Sequence, residues 1–125
     1  MASQQQCTRE QAIQAETEAS TLKTWASVFT SYQHYKQCDD GAIAEGYSDS
    51  IADLLAAHWD QVGELNKLAI AHPEFEGFVI RHLDDLMTPV QSTVIRTQAK
   101  SSCPASASKL CEAIEKQFSD LERMR

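Results

Sequence analysis

Residues 37–55, QCDDGAIAEGYSDSIADLL, set six groups that could do chemistry close together: Cys38, Asp39, Asp40, Glu45, Asp49 and Asp53, with Gly41 and Gly46 between them. Three chemistries suit such a stretch: a cation loop, an acidic docking surface, or the start of a helix. A calcium loop of the EF-hand type needs oxygen ligands at alternate positions, glycine at the sixth and glutamate at the twelfth. Counted from Asp39 or Asp40, the third position is Gly41 or Ala42 and the fifth is Ile43 or Ala44. Neither register puts glycine at the sixth. The residues three before the four histidines are Ser31, Leu55, Ala69 and Val79, so the Glu-x-x-His pairs of a di-iron bundle are missing. His34 and Cys38, four apart on a helix, could share zinc with Cys103 or Cys111, but in an oxidising compartment those thiols pair with one another instead. No nucleophile elbow and no phosphate-cradling glycine loop is present in the sequence. The sequence therefore predicts no catalytic residue, no metal and no cofactor. His58 and His82 fall on apolar stripes and read as hydrogen-bonded core histidines, His82 within reach of Asp85 on the same helix face.

The elements that carry these residues follow from spacing. Few Gly and Pro and an ample supply of apolar residues in a chain of 125 favour one all-α domain over residues 1–125. Residues 1–8 are expected to form a flexible arm. Thr8 followed by Gln11 reads as a capping box. It opens a first helix with Ala15, Ala19, Leu22, Trp25, Ala26, Phe29 and Tyr32 at spacings of three and four. Its first turns carry little more than alanine and should pack loosely. A second helix is predicted over residues 40–71, capped by Asp39 or Asp40. On a wheel of about 100° per residue, Ile43, Tyr47, Ile51, Leu54, Leu55, Val62, Leu65, Leu68 and Ala69 oppose the acids Glu45, Asp49, Asp53, Asp60 and Glu64. Gly46 inside it costs about 1 kcal/mol relative to alanine, which points to a close helix crossing or a kink. His72-Pro73 ends that helix. A third helix is read with the stripe Phe75, Phe78, Val79, His82, Leu83 and Leu86. A fourth starts at Thr88-Pro89 and carries Val90, Val94 and Ile95. KSSCPASAS breaks the chain before a last helix bearing Leu110, Cys111, Ile114, Phe118 and Leu121. The sum is a bundle of four to five helices with at least one disulfide.

Charge narrows the class of partner. Seven acids (Asp39, Asp40, Glu45, Asp49, Asp53, Asp60 and Glu64) stand between Gln37 and Asn66 without a Lys or Arg, which equals the whole net charge of −7. From Leu86 to Cys111 the sign reverses, with Arg96, Lys100 and Lys109 and no acid. Such a stripe disfavours nucleic acid and anionic lipid and suits a basic protein. The HPEFEGF corner, with His72, Glu74 and Glu76, is a second candidate contact, since a bundle's loops can enter a cleft. No apolar run is long enough to span a membrane. A homodimer is compatible with the long helices.

Four cysteines in no metal spacing favour disulfides. The opening MASQQQ reads as a mature terminus, so we expect a periplasmic or secreted protein, with a cytoplasmic one as the alternative. If the first helix runs to Cys38 and its successors alternate direction, Cys38 meets the KSSCP loop. That places Cys38 with Cys103 or Cys111 and leaves Cys7 free or intermolecular. Cys103 and Cys111 can bridge each other only if residues 104–108 are largely loop.

On Tyr32 and Tyr35 ahead of Cys38, the AIAEGYSDS segment and the late Cys111, the chain resembles small helical periplasmic immunity proteins. Those proteins neutralise peptidoglycan amidases delivered by type VI secretion. The resemblance implies an exported helical inhibitor whose partner is a cell-wall-degrading toxin, and it transfers no functional residue. The competing expectation is a structural or oligomeric helical envelope protein.

Overall fold

The computed structural model describes residues 6–124. Among them are seven α-helices and no strand: α1 Arg9–Ala19, α2 Trp25–Tyr35, α3 Gly41–Ala57, α4 Val62–Ala71, α5 Pro73–Arg81, α6 Pro89–Ser101 and α7 Ser108–Arg123. Single 3-10 turns precede α3, α4 and α7. The all-α class holds, but the bundle is cut more finely than four to five helices. Two of the expected helices are each two.

The first break lies at Ser20–Thr24. Ser20 closes α1, and Thr24 opens α2 with a reciprocal cap, its Oγ1 accepting from the Ser27 N–H at 3.0 Å. Hydroxyl residues compete with the helix for backbone hydrogen bonds, and Ser20, Thr21 and Thr24 together end it. The apolar spacing runs on in phase across the reversal, which is why periodicity reads one helix. The second break lies at His58, whose φ of −133° leaves the helix. Trp59 turns inward there, and its indole N–H donates to the Ser102 carbonyl at 2.9 Å. A three-residue 3-10 turn advances only about 60° more than α-helix would, too little to shift a broad apolar stripe. His58 is consequently an exposed cap and not a core histidine. Leu86, read as a stripe position of the third helix, is exposed because α5 ends at Arg81, and Val90 in the first turn of α6 is exposed as well.

Helices α1 and α2 have 11 residues each and reverse through a short connection. The residue before one thus returns beside the residue after the other, and Cys7 is bonded to Cys38. Pro104–Ala107 stays out of α-helix, which lets Cys103 bond to Cys111. Both pairings correct the expected link from Cys38 to the C-terminal region, and Cys7 is not free. The premise that failed was the uninterrupted first helix. Of the expected arm, residues 1–5 lie outside the described residues. Beyond them, Cys7 is tied down and Thr8 caps α1.

The alanine turns of α1 do not pack loosely. Ala15 and Ala19 are fully buried against α3. A Cβ on Gly46 would stand 2.9 Å from the Ala19 Cβ and 3.2 Å from the Ser20 nitrogen. Gly46 therefore marks a close crossing, and α3 runs through it unbroken. Ser50, also buried, donates to the Ala19 carbonyl at 2.6 Å and accepts from the Leu22 N–H, closing the end of α1. Gly46→Ala should cost about 1–3 kcal/mol by overpacking, more than the ~1 kcal/mol of helix propensity it gains. Urea unfolding measures the balance, and a stabilised variant would show that the crossing can spread. The core below is aromatic and aliphatic, centred on Trp25, Tyr47, Phe75, Phe78, Leu54 and Ile114.

Candidate functional site

Three sets of side chains stand apart from ordinary packing. The first is the acidic row. Asp40 caps α3, its Oδ1 accepting from the Gly41 N–H at 2.9 Å, and Gly41 takes a left-handed φ of +52°. Glu45, Asp49 and Asp53 follow at intervals of four, all exposed, and form one row along α3. Asp60 and Glu64 are exposed too, but they belong to the 3-10 turn and to α4, so the continuous stripe expected from one long helix is divided at His58. Asp39 is not part of the outer row. Its side chain is only 14 % exposed and turns inward to His82. Glu74 is exposed and Glu76 half-buried in the first turn of α5.

Among the described residues no ion pair involves Glu45, Asp49, Asp53, Asp60 or Glu64. Other acids are neutralised within the fold. Glu122 pairs with Arg96, and Asp120 is hydrogen-bonded first by Lys116 and then by Arg123, which together hold its carboxyl below the usual range. Like charges at i, i+4 on a helix repel by about 0.2–0.5 kcal/mol per pair. The α3 row carries two such pairs with nothing to offset them.

The second set is a buried polar cluster. His82 caps the end of α5 and is 5 % exposed. Its Nδ1 lies 2.9 Å from the Ser48 Oγ and its Nε2 3.0 Å from the Asp39 Oδ2. Ser48 also reaches the Asp84 Oδ2 at 2.8 Å, and the other Asp84 oxygen accepts from the Leu86 N–H. A carboxylate only accepts, so the Ser48 hydroxyl donates to Asp84, and the His82 ring bridges Ser48 and Asp39. The ring thus stands at the end of α5 with Asp39 on one side and Ser48, which links it to Asp84, on the other. Beside it, Tyr47 is fully buried with its hydroxyl 2.7 Å from the Ser31 Oγ. Burial pushes its phenol up to about 12, against the lowering effect of the Ser31 bond. Tyr47 therefore stays protonated and can serve as a donor throughout the neutral range.

Serine, histidine and aspartate in line invite comparison with a hydrolytic triad, but the geometry argues against that chemistry in this conformation. Ser48 is 2 % exposed and its proton is committed to a carboxylate, so its oxygen meets no substrate. The cluster instead pins the segment after α5 to α3 and to the turn holding Cys38. The core histidine was foreseeable from its stripe, but its partners were expected on its own helix. Ser48 stands four before Ala52 and seven before Leu55, a register that marks it as inward. Asp39 carries no local signal at all, being 43 residues from His82.

The third set lines a cleft of about 370 Å³ between α2 and the α4–α5 corner. Phe29, Tyr32, Gln33 and Lys36 supply one wall, at helical spacing along α2, and His72, Glu74 and Phe75 the other. The His72 ring lies 4.5 Å from Phe29 and the Lys36 ammonium 5.5 Å from the Tyr32 ring centre. The HPEFEGF corner singled out by sequence is thus one side of this cleft. The α2 wall was missed because its rings read only as core. Among the described residues no group of three or more His, Cys, Asp and Glu is arranged to hold a metal ion, and all four thiols are in disulfides. No described helix is long and apolar enough to cross a membrane. Compared with protein-family models, with curated proteins and with solved structures, the chain has no match.

Proposed function

We propose that this protein is an exported, disulfide-closed helical module that binds and neutralises a basic protein partner. The observation that carries the reading is the row Glu45, Asp49 and Asp53 on α3: three exposed carboxylates at four-residue intervals with no cation in ion-pair range among the described residues. The free protein holds these charges in mutual repulsion, and a cationic partner relieves it. Asp60, Glu64 and the Glu74–Glu76 corner extend the acidic surface beyond α3. Two disulfides suit an oxidising compartment, and that chemistry supports a periplasmic or secreted location. The likeness to amidase immunity proteins supplies the specific version, with a cell-wall-degrading toxin as the basic hydrolase held. In this reading the protein is an inhibitor and not an enzyme.

Neutralising the row with Glu45→Gln, Asp49→Asn and Asp53→Asn tests the idea from both sides. The free variant should be as stable as the parent or more stable by about 0.4–1 kcal/mol, the sum of two relieved pairs. Its retention of the basic partner from an envelope extract should fall at least tenfold. A stabilised variant that retains the partner undiminished would reduce the row to a solvated face. A second reading, a self-associating envelope protein, draws on the exposed Leu86 and Val90 beside α6. It predicts a concentration-dependent mass in sedimentation that Val90→Lys abolishes.

A further inference from the structure

The cleft between α2 and the α4–α5 corner presents donors that the fold leaves unused. Tyr32 lines it and is 8 % exposed, yet its hydroxyl makes no hydrogen bond to any described residue and is not sealed from solvent. A phenol this deeply placed normally finds a partner. Lys36, on the same wall, has no carboxylate in ion-pair range among the described residues. Opposite, α5 begins at His72-Pro73 without a side-chain cap. The N–H groups of Phe75 and Glu76 turn back to the His72 carbonyl, while that of Glu74 finds no backbone partner. The positive end of a nine-residue helix therefore faces the same space as an ammonium and an unpartnered phenol. Between them lies an apolar surface of Phe29, half-buried, and Phe75. The volume falls within the range of small-ligand clefts.

We propose that this cleft binds a single carboxylate carried on a compact apolar body, the carboxylate against Lys36, the Tyr32 hydroxyl and the start of α5, the body against Phe29. Lys36 lines the cleft as a cation, and the Arg81 guanidinium also acts on the Tyr32 hydroxyl, so the donor side favours an anion. Glu74 is the opposing group: an exposed carboxylate at the second position of α5, it competes for the same helix end. Two sources present this chemistry, a free carboxylic acid and the C-terminus of a peptide. The inference is independent of the acidic row on α3.

Titration of the intact oxidised protein with 3-phenylpropionate, followed by backbone amide NMR, is the test, with 3-phenylpropionamide as the probe that keeps the body and loses the charge. The acid should shift residues 33–36 and 71–75, and the amide should bind at least tenfold more weakly. Lys36→Met should weaken the acid at least tenfold and Tyr32→Phe, which keeps the ring in place, about threefold or more. Glu74→Gln should tighten it. Equal binding of acid and amide, shifts confined to other surfaces, or no response to either probe at millimolar concentration overturns the proposal. An acetylated peptide ending in phenylalanine, free or amidated at its C-terminus, separates the sources. Tighter binding of the free-ended peptide than of the small acid assigns the site to a chain terminus, and the reverse assigns it to a small molecule.

Discussion

Reduced under native conditions, the protein should lose about 6 kcal/mol of unfolding free energy, and its urea midpoint should fall steeply. The Cys7–Cys38 bond closes a loop of 31 residues and Cys103–Cys111 one of 8. On the chain-entropy model those loops contribute about 4 and 2.5 kcal/mol. A domain of this size holds only about 5–15 kcal/mol in total, so losing both bonds removes a share that runs from about two-fifths to the whole. The two contributions separate by substitution. Cys7→Ser with Cys38→Ser should cost more than Cys103→Ser with Cys111→Ser in urea unfolding. The opposite order would mean that local strain or denatured-state structure governs these bonds, and not loop closure. The longer bond also fixes position. Cys38 precedes Asp39, so cutting the bond frees the turn that presents Asp39 to His82.

His82→Ala should cost about 1–3 kcal/mol for the buried partners it leaves unsatisfied. The loss is less the value of its hydrogen bonds than the state of what remains. Asp39, nearly enclosed and with its Oδ1 already unpartnered, would lose the ring that its Oδ2 meets, and Ser48 would lose its contact with that ring. Ser48→Ala removes a hydroxyl that touches both His82 and Asp84 and should cost about 1–3 kcal/mol. The mechanism makes a sharper demand of the combination His82→Leu, Asp39→Asn and Asp84→Asn. With no buried charge left, it should recover a large part of what His82→Ala loses. Denaturation curves in which the triple variant is as unstable as the single one would move the cause to packing and away from charge.

Much of the helical content could be read from the chain. Thr8, Asp40 and Thr88 cap the helices they were expected to cap, because a cap is a local event between a side chain and the next N–H groups. The inward faces of α3 and α7 follow their apolar spacing for the same reason. Helix ends imposed from a distance were not legible. Trp59 leaves the helix to reach Ser102, and nothing within residues 55–62 announces that bond. Each missed break then propagated. An unbroken first helix put Cys38 at the wrong end of the bundle, and an unbroken second helix drew one acidic stripe where there are two groups. Of the candidate sites, the α3 row and the His72–Glu76 corner were visible as residue types, whereas the His82 partners and the α2 wall of the cleft are products of tertiary placement.

The most direct measurement of the central claim is the affinity for the basic partner, recovered on the wild-type protein, at low and at physiological salt, compared with Asp49→Lys/Asp53→Lys. Wild-type affinity should fall steeply with added salt, as charge-steered contacts do. The double variant should bind at least a hundredfold more weakly at low salt and lose that salt dependence. Equal affinities and equal salt slopes for the two proteins would contradict the assignment of the α3 row as the surface that holds the partner.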